Sequence, residues 1–359
     1  MSSTPAPTTA AVAVSPGRRA LVAGTGHAAA TVVVPATPVD AAPSTPPAAS
    51  HPALAGLTVL ERGWLSSNNI LIHAAPGEDG AVLVDTGHVN HAEQTCALVA
   101  HALQGAPLAR IVNTHLHSDH CGGNAALQAV HGAPIWVAPG MAQPVRAWDD
   151  QRLTYRDTGQ RIARYGAQGE LPREGAFIAG GRRWEVLPAP GHDPDSVMLF
   201  DREAGVLLSA DALWEHGFGV VFPEVAGEPG FDDVGQVLEQ IAALPVQVVV
   251  PGHGRPFTDV HGALDRARAR LAGFRADPLR HARHAARVLI KYHLMEERSQ
   301  AVEAFRAWAE ATPLLQGLWG AHGRHAHAST GDWALAHATD LCATGALARQ
   351  EEMLLDGPG

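Results

Sequence analysis

Cysteine is nearly absent: Cys96, Cys121 and Cys342 are the only three in 359 residues, and they lie far apart. They supply no disulfide framework, so stability must come from a hydrophobic core, and a reducing, cytoplasmic setting is expected. No apolar run approaches the roughly 18 residues that a membrane-spanning helix requires, so no membrane partner is expected. Aromatic residues are scarce at 5%, yet 46% of the chain is hydrophobic, which suits a globular protein. Positive charge is in deficit. The 26 Lys and Arg against 36 Asp and Glu leave a net charge of −10, which disfavours avid, non-specific nucleic-acid binding while leaving room for a local basic groove.

Residues 1–53 have almost no acidic side chains and little periodicity, and are dominated by Ala, Pro, Thr, Ser and Val. Such a segment cannot bury enough apolar surface to fold, so it is expected to be a disordered leader. A rival reading is export: Arg18-Arg19 precede the Ala/Val-rich stretch Ala20 to Ala36, although Gly24, Gly26 and His27 interrupt it.

What is abundant is histidine, 21 in all, and its placement is informative. The segment Asn113-Thr-His-Leu-His-Ser-Asp-His-Cys-Gly-Gly-Asn124 packs His115, His117, Asp119 and His120 into six residues after an apolar run ending at Val112. Neutral imidazoles and carboxylates are ligands for zinc, iron and manganese. In a loop leaving a strand, His115 and His117 can face one point, while Asp119 and His120, opening the next helix, can face another. Two metal ions are therefore expected. Three further candidates end strand-like runs beside turn residues: His192 in Pro190-Gly-His-Asp-Pro, Asp211 after Gly205-Val-Leu-Leu-Ser-Ala, and His253 in Pro251-Gly-His-Gly. Each alone would read as an ordinary loop residue; as a set they read as ligands.

With these residues in view, the chain from about Leu57 to Thr258 resembles the metallo-β-lactamase superfamily of binuclear hydrolases. The motifs are Leu83-Val-Asp85-Thr-Gly, His115-Leu-His117-Ser-Asp119-His120, Gly191-His192, Ala210-Asp211 and Gly252-His253-Gly. The resemblance implies that His115, His117 and His192 hold one ion, that Asp119, His120 and His253 hold the second, and that Asp211 bridges them. It makes Asp85 a support for a ligating imidazole. It also implies a four-layer αββα sandwich, whereas periodicity alone gives only an α/β mixture. The expected cofactors are two divalent ions, zinc first, with iron or manganese compatible. Two such ions can acidify a shared water to a pKa of about 7, giving a bridging hydroxide that attacks a carbonyl or phosphoryl centre. Asp119 could orient that nucleophile or pass a proton. Cys121 reads as a small buried residue at the start of a helix more than as a nucleophile.

These features lead to a hydrolase acting on a small ester, thioester or lactone. A bridging Asp211 resembles the hydroxyacylglutathione hydrolases, lactonases and phosphodiesterases of the superfamily, and disfavours β-lactamase activity. The segment Ala212-Leu-Trp214-Glu-His216-Gly-Phe218-Gly departs from the Gly-Arg-Phe element of hydroxyacylglutathione hydrolases, so Trp214, His216 and Phe218 are expected to line the pocket, with core packing as the alternative. The rivals are a phosphodiesterase or ribonuclease, a mononuclear iron persulfide dioxygenase, and a non-enzymatic binding module. Clustered polar groups without use would be costly, which weighs against the last.

The catalytic region is expected over residues 54–260, with Gln143 to Glu174 inserted near the site mouth, and a helical C-terminal domain over 261–359. Its candidate helices are Ala263 to Phe274, His281 to Glu297 and Ser299 to Ala311, and Asp332 to Leu355 resembles the helix and wing of a winged-helix appendage. Arg280, Arg283, Arg287 and Lys291 form a stripe at helical spacing, read as a solvated face paired with carboxylates, with an anionic-substrate site as the alternative. His322, His325 and His327 read as exposed loop histidines, a second metal site being the alternative. No motif addresses the oligomeric state.

Overall fold

Segments that are apolar at every position, such as Ala81–Val84 and Val248–Pro251, must bury both faces, because successive side chains of a strand point opposite ways. The computed structural model, which describes residues 51–357, places them in the middle of a layered sandwich. The expected leader up to residue 50, including the export-like stretch, lies outside the described residues. One sheet contains β1 (Leu57–Leu60), β2 (Asn69–Ile72), β3 (Ala81–Val84), β4 (Leu108–Val112), β5 (Ile135–Val137) and β6 (Gly169–Glu170) in that order. The second contains β7 (Ala176–Ala179), β8 (Arg182–Pro188), β9 (Val197–Asp201), β10 (Val206–Ala210) and β11 (Val248–Pro251), ordered β11-β10-β9-β8-β7.

Alternation sorts each strand between two cores. Ile70, Ile72, Val82 and Val84 of the first sheet meet Val197, Leu199, Val206, Leu208, Val248 and Val250 of the second. The residues between them turn outward: Leu71, Leu83 and Ile111 pack with α1 (Ala92–Leu103) and α3 (Asn124–His131), which follows the short ligand-bearing helix α2 (Ser118–Cys121). Beyond α3, the expected insertion forms α4 (Ala142–Ala147), α5 (Asp150–Leu153) and α6 (Tyr155–Thr158), and its Tyr155 and Tyr165 are buried in this same core. On the opposite side, Met198, Phe200, Leu207 and Val249 pack with α8 (Phe231–Ala242), preceded by α7 (Phe222–Ala226), and with α9 (Val260–Ala276). The result is the expected αββα sandwich, in which each fully buried Leu or Ile contributes roughly 1.5–3 kcal/mol.

The C-terminal extension continues with α10 (Pro278–Glu297), β12 (Ser299–Ala301), α11 (Val302–Ala311), α12 (Pro313–His322), α13 (Thr330–Ala343), β13 (Leu347–Gln350) and β14 (Met353–Asp356). This extension is a helix, a strand, further helices and a hairpin whose second strand pairs with the first strand. One expectation is corrected here. Ser299–Ala301 does not begin a helix: it pairs antiparallel with Met353–Leu355, some 50 residues onward, and helix starts only at Val302. Helix α12 follows Pro313 directly, with the proline in the first turn, where its missing N–H costs nothing.

Helix α10 also reaches the ligand loop. The Tyr292 hydroxyl lies 2.7 Å from Ser118 Oγ, and buried Glu296 bonds His88 Nε2 at 2.8 Å. Among the described residues no helix is long and apolar enough to cross a membrane.

Candidate metal centre

Five of the seven candidate residues follow strand ends, Asp119 and His120 sit in the short helix α2, and the side chains of all seven converge. Strand β4 ends at Val112, and the loop beyond it carries His115 and His117 before α2 supplies Asp119 and His120. Asp211 follows β10, and His253 follows β11. Ligand atoms of His115, His117 and His192 lie within 4.8 Å of one another, as do those of Asp119, His120, Asp211 and His253. Asp211 faces both groups. Its Oδ2 is 3.4 Å from His192 Nε2, and its Oδ1 is 3.4 Å from His120 Nε2. Ala210, just before it, holds a left-handed φ of 46°, a costly conformation for alanine that aims the carboxylate.

Three of the imidazoles have a partner at the outer nitrogen. His192 Nδ1 donates to Val220 O at 2.6 Å, and His120 Nδ1 donates to Asp85 Oδ2 at 2.8 Å. Asp85 is itself fixed by the Thr114 N–H at 2.9 Å and hydroxyl at 2.8 Å. His117 Nε2 lies 3.5 Å from Asp193, leaving Nδ1 turned inward. With the His117 proton on Nε2, toward Asp193, His192 Nε2 and His117 Nδ1 face each other as lone pairs at 2.8 Å. That contact is repulsive unless a cation lies between them. His120 Nε2 is buried with no hydrogen-bond partner, an orphaned polar atom that a native fold keeps only when something else satisfies it. Two glycines clear the space: a Cβ on Gly219 would stand 2.3 Å from His192 Nδ1, and one on Gly252 would stand 2.2 Å from Asp211 Oδ1. The donor set fits divalent cations.

Electrostatics set the two groups apart. Burial holds His117 and His192 at about 4, and burial with the neighbouring imidazoles pushes His115 well below its ordinary value, so this group is neutral and ready to ligate. In the other group burial opposes charge, yet Asp211, Asp119 and Asp85 hold His120 well above the usual range. Burial would raise Asp119, but His120 and His253 bring it to about 2. Cys121 is no nucleophile: burial pushes its thiol up to about 12, and Sγ lies 3.2 Å from the Tyr155 hydroxyl.

A cavity of about 430 Å³ opens beside Asp119, His192, Asp211 and His253. Trp214 and His216 line it as expected, and Trp214 Nε1 donates to Asp211 Oδ1 at 3.2 Å. Phe218 does not line it; it is buried in the core of α8 and α9 against Phe274, so that expectation is corrected. Trp64, Arg270, His284 and Tyr292 line the cavity without having been foreseen. Trp64 stacks on His253 with centroids 5.3 Å apart. His322, His325 and His327 join neither ligand group.

The metallo-beta-lactamase superfamily model matches residues 62–253, over half of the chain. The chain belongs to this superfamily. A hydroxyacylglutathione hydrolase of Methylococcus capsulatus is 27% identical over 194 residues, covering 54% of this chain and 64% of the relative. One of Anaeromyxobacter dehalogenans is 30% identical over 161 residues, 45% of this chain and 52% of the relative. The chain thus spans between half and two thirds of the length of these relatives. Among solved structures, a beta-lactamase domain protein from Burkholderia ambifaria covers 82% of this chain and 89% of its own, with TM-score 0.50 and 22% identity, and shares the fold.

Proposed function

We propose that the chain is a binuclear metal-dependent hydrolase of small esters, thioesters or lactones. The supporting observation is the approach of His117 Nδ1 to His192 Nε2 at 2.8 Å beside the Asp211 carboxylate, which faces both ligand groups, next to one cavity. In this reading His115, His117 and His192 hold one divalent ion; Asp119, His120 and His253 hold the other; Asp211 joins them. Zinc is the first choice, with iron or manganese compatible with the donors. Bound ions would supply Lewis acidity and a water acidic enough to deprotonate near neutral pH.

The chain's own groups do the rest. Asp119 Oδ2 is engaged with His253 at 2.9 Å, so its other oxygen is the one able to orient the attacking water and take its proton. Trp214 fixes the orientation of Asp211. Trp64, Trp214, Phe222 and Leu289 give the cavity apolar walls that exclude water from an acyl group. Glutathione is not proposed as the substrate handle, because the Gly-Arg-Phe element is missing after Asp211. Nucleic acid is also disfavoured as a partner: α13, the last helix before the C-terminal hairpin, carries Asp332 and Asp340 and no Lys or Arg. Three free cysteines support a reducing, cytoplasmic setting.

The test is a hydrolysis panel on the metal-loaded protein. Turnover of aryl esters, thioesters or lactones, lowered by at least about a hundredfold in Asp211→Ala while the fold persists, is expected. Oligonucleotide cleavage at low salt without ester turnover would replace this reading with a phosphodiesterase. One iron per chain with oxygen uptake would replace it with a persulfide dioxygenase.

A further inference from the structure

Helix α9 carries Arg266, Arg268, Arg270 and Arg275 in its middle and last turns. Three of them have carboxylate partners: Arg266 pairs with Asp259, Arg268 with Glu239 and Arg275 with Asp232. Arg270 makes no ion pair among the described residues, and only Phe218 O accepts from it, at 3.4 Å. The stripe on α10 divides in the same way. Arg287 pairs with Asp340 and Lys291 with Asp356, both at 2.6 Å, as a solvated face should. Arg280 and Arg283 have no such partner among the described residues.

The three arginines left over, Arg270, Arg280 and Arg283, meet in one place beside the paired Arg287. A groove of about 400 Å³ between α9 and α10 is lined by Arg270, Arg280, Arg283 and Arg287, with His284 and a single carboxylate, Asp277. Asp340 offsets Arg287, which leaves three guanidinium groups against one lining carboxylate, in a molecule of net charge −10, a concentration of like charge that favours an anion. Burial, followed by the nearby Arg270, holds His284 at about 4, so it stays neutral and can hydrogen-bond without adding charge. Guanidinium forks match phosphate oxygens in pairs. Arg270 and His284 also line the 430 Å³ cavity beside the metal-ligand cluster, so the groove and the cavity share a wall.

Building on the hydrolase reading, we propose that this groove holds the phosphorylated end of an acyl ester or thioester whose carbonyl lies at the metal-ligand cluster. The acyl part and the linker occupy the apolar cavity walled by Trp64, Trp214, Val288 and Leu289. The reaction is an ordinary hydrolysis. Water oxygen bonds to the acyl carbon, the carbon–oxygen or carbon–sulfur bond breaks, and the leaving alkoxide or thiolate takes up a proton.

Two measurements on the metal-loaded full chain test this. The first compares a short-chain acyl-coenzyme A with the same acyl group on N-acetylcysteamine, which offers the same thioester without phosphate. The ratio of their kcat/KM values should fall at least about tenfold in Arg280→Gln/Arg283→Gln, and the KM of the phosphorylated substrate should rise with ionic strength. The second is calorimetric titration with adenosine diphosphate, which needs no turnover. Affinity should weaken about tenfold in the double variant, a difference that separates the groove from any binding at the metals. An unchanged ratio or an unchanged diphosphate affinity overturns the proposal. Absence of turnover with both thioesters and across the ester and lactone panel would sink the hydrolase reading instead, and the titration would still decide the groove.

Discussion

Replacing Asp85 by Asn probes the support beneath the ligands without touching a ligand. Asp85 is 2% exposed and accepts three hydrogen bonds: Oδ1 from the Thr114 N–H, and Oδ2 from the Thr114 hydroxyl and His120 Nδ1. Asparagine keeps the shape, and it tolerates the left-handed φ of 57° at this position, so the backbone is not strained further. The amide nitrogen, however, must replace one oxygen. In the Oδ2 position it would point a donor at His120 Nδ1–H, and the ring could relieve the clash only by moving its proton to Nε2, the atom turned toward Asp211. In the Oδ1 position it would point a donor at the Thr114 N–H. Either arrangement exchanges a charge-assisted bond for a weaker or repulsive contact, about 1.4–2.8 kcal/mol, equivalent to a ten- to hundredfold loss of affinity at the His120 group. Competition with a chromophoric chelator, on protein stripped and reloaded with zinc, would read this directly. The His115, His117 and His192 group should keep its affinity. Equal affinity at both groups in wild type and Asp85→Asn would refute the claim that this carboxylate sets the tautomer.

Glu296→Ala should destabilise the fold by about 2–3 kcal/mol in chemical denaturation, because it leaves buried His88 Nε2 without its acceptor; a loss below about 0.5 kcal/mol would mean the contact between α10 and the ligand region carries little. Burial holds His281 at about 4 against its ordinary 6.5, and its Nε2 accepts from the Val221 N–H at 3.2 Å. Because its folded-state value is depressed, the unfolded chain takes up a proton first, so the contribution of His281 is present above about 6.5 and is lost as pH falls toward 4. The unfolding midpoint should therefore fall through that window, and fall less steeply in His281→Gln; identical profiles would contradict the assignment.

The sandwich and the seven side chains that the fold brings together were legible because both are written locally. Fully apolar strands such as Val206–Leu208 announce burial on both faces, and a ligand loop directly after a strand has little freedom in where it points. The walls of the cavity were not legible. Trp64, Arg270, His284 and Tyr292 come from different elements, and no spacing in the sequence links them; only the packing of α9 and α10 against the ligand loop brings them together. The same holds for Ser299–Ala301, a strand only because Met353–Leu355 returns beside it. Phe218 failed for the opposite reason: an aromatic near a site in sequence is as suited to a core, and α8 and α9 supply one. The arginine stripe of α10 was half legible, since helical spacing shows which residues share a face but not which of them find carboxylates.

The most direct test counts metal ions in the purified full chain and in His253→Ala, by elemental analysis against protein concentration. The account predicts two divalent ions per wild-type chain and about one in the variant, with ester turnover abolished by a chelator and restored by re-addition of the metal. A wild-type chain that binds no metal, or a His253→Ala variant that still holds two ions, would contradict it.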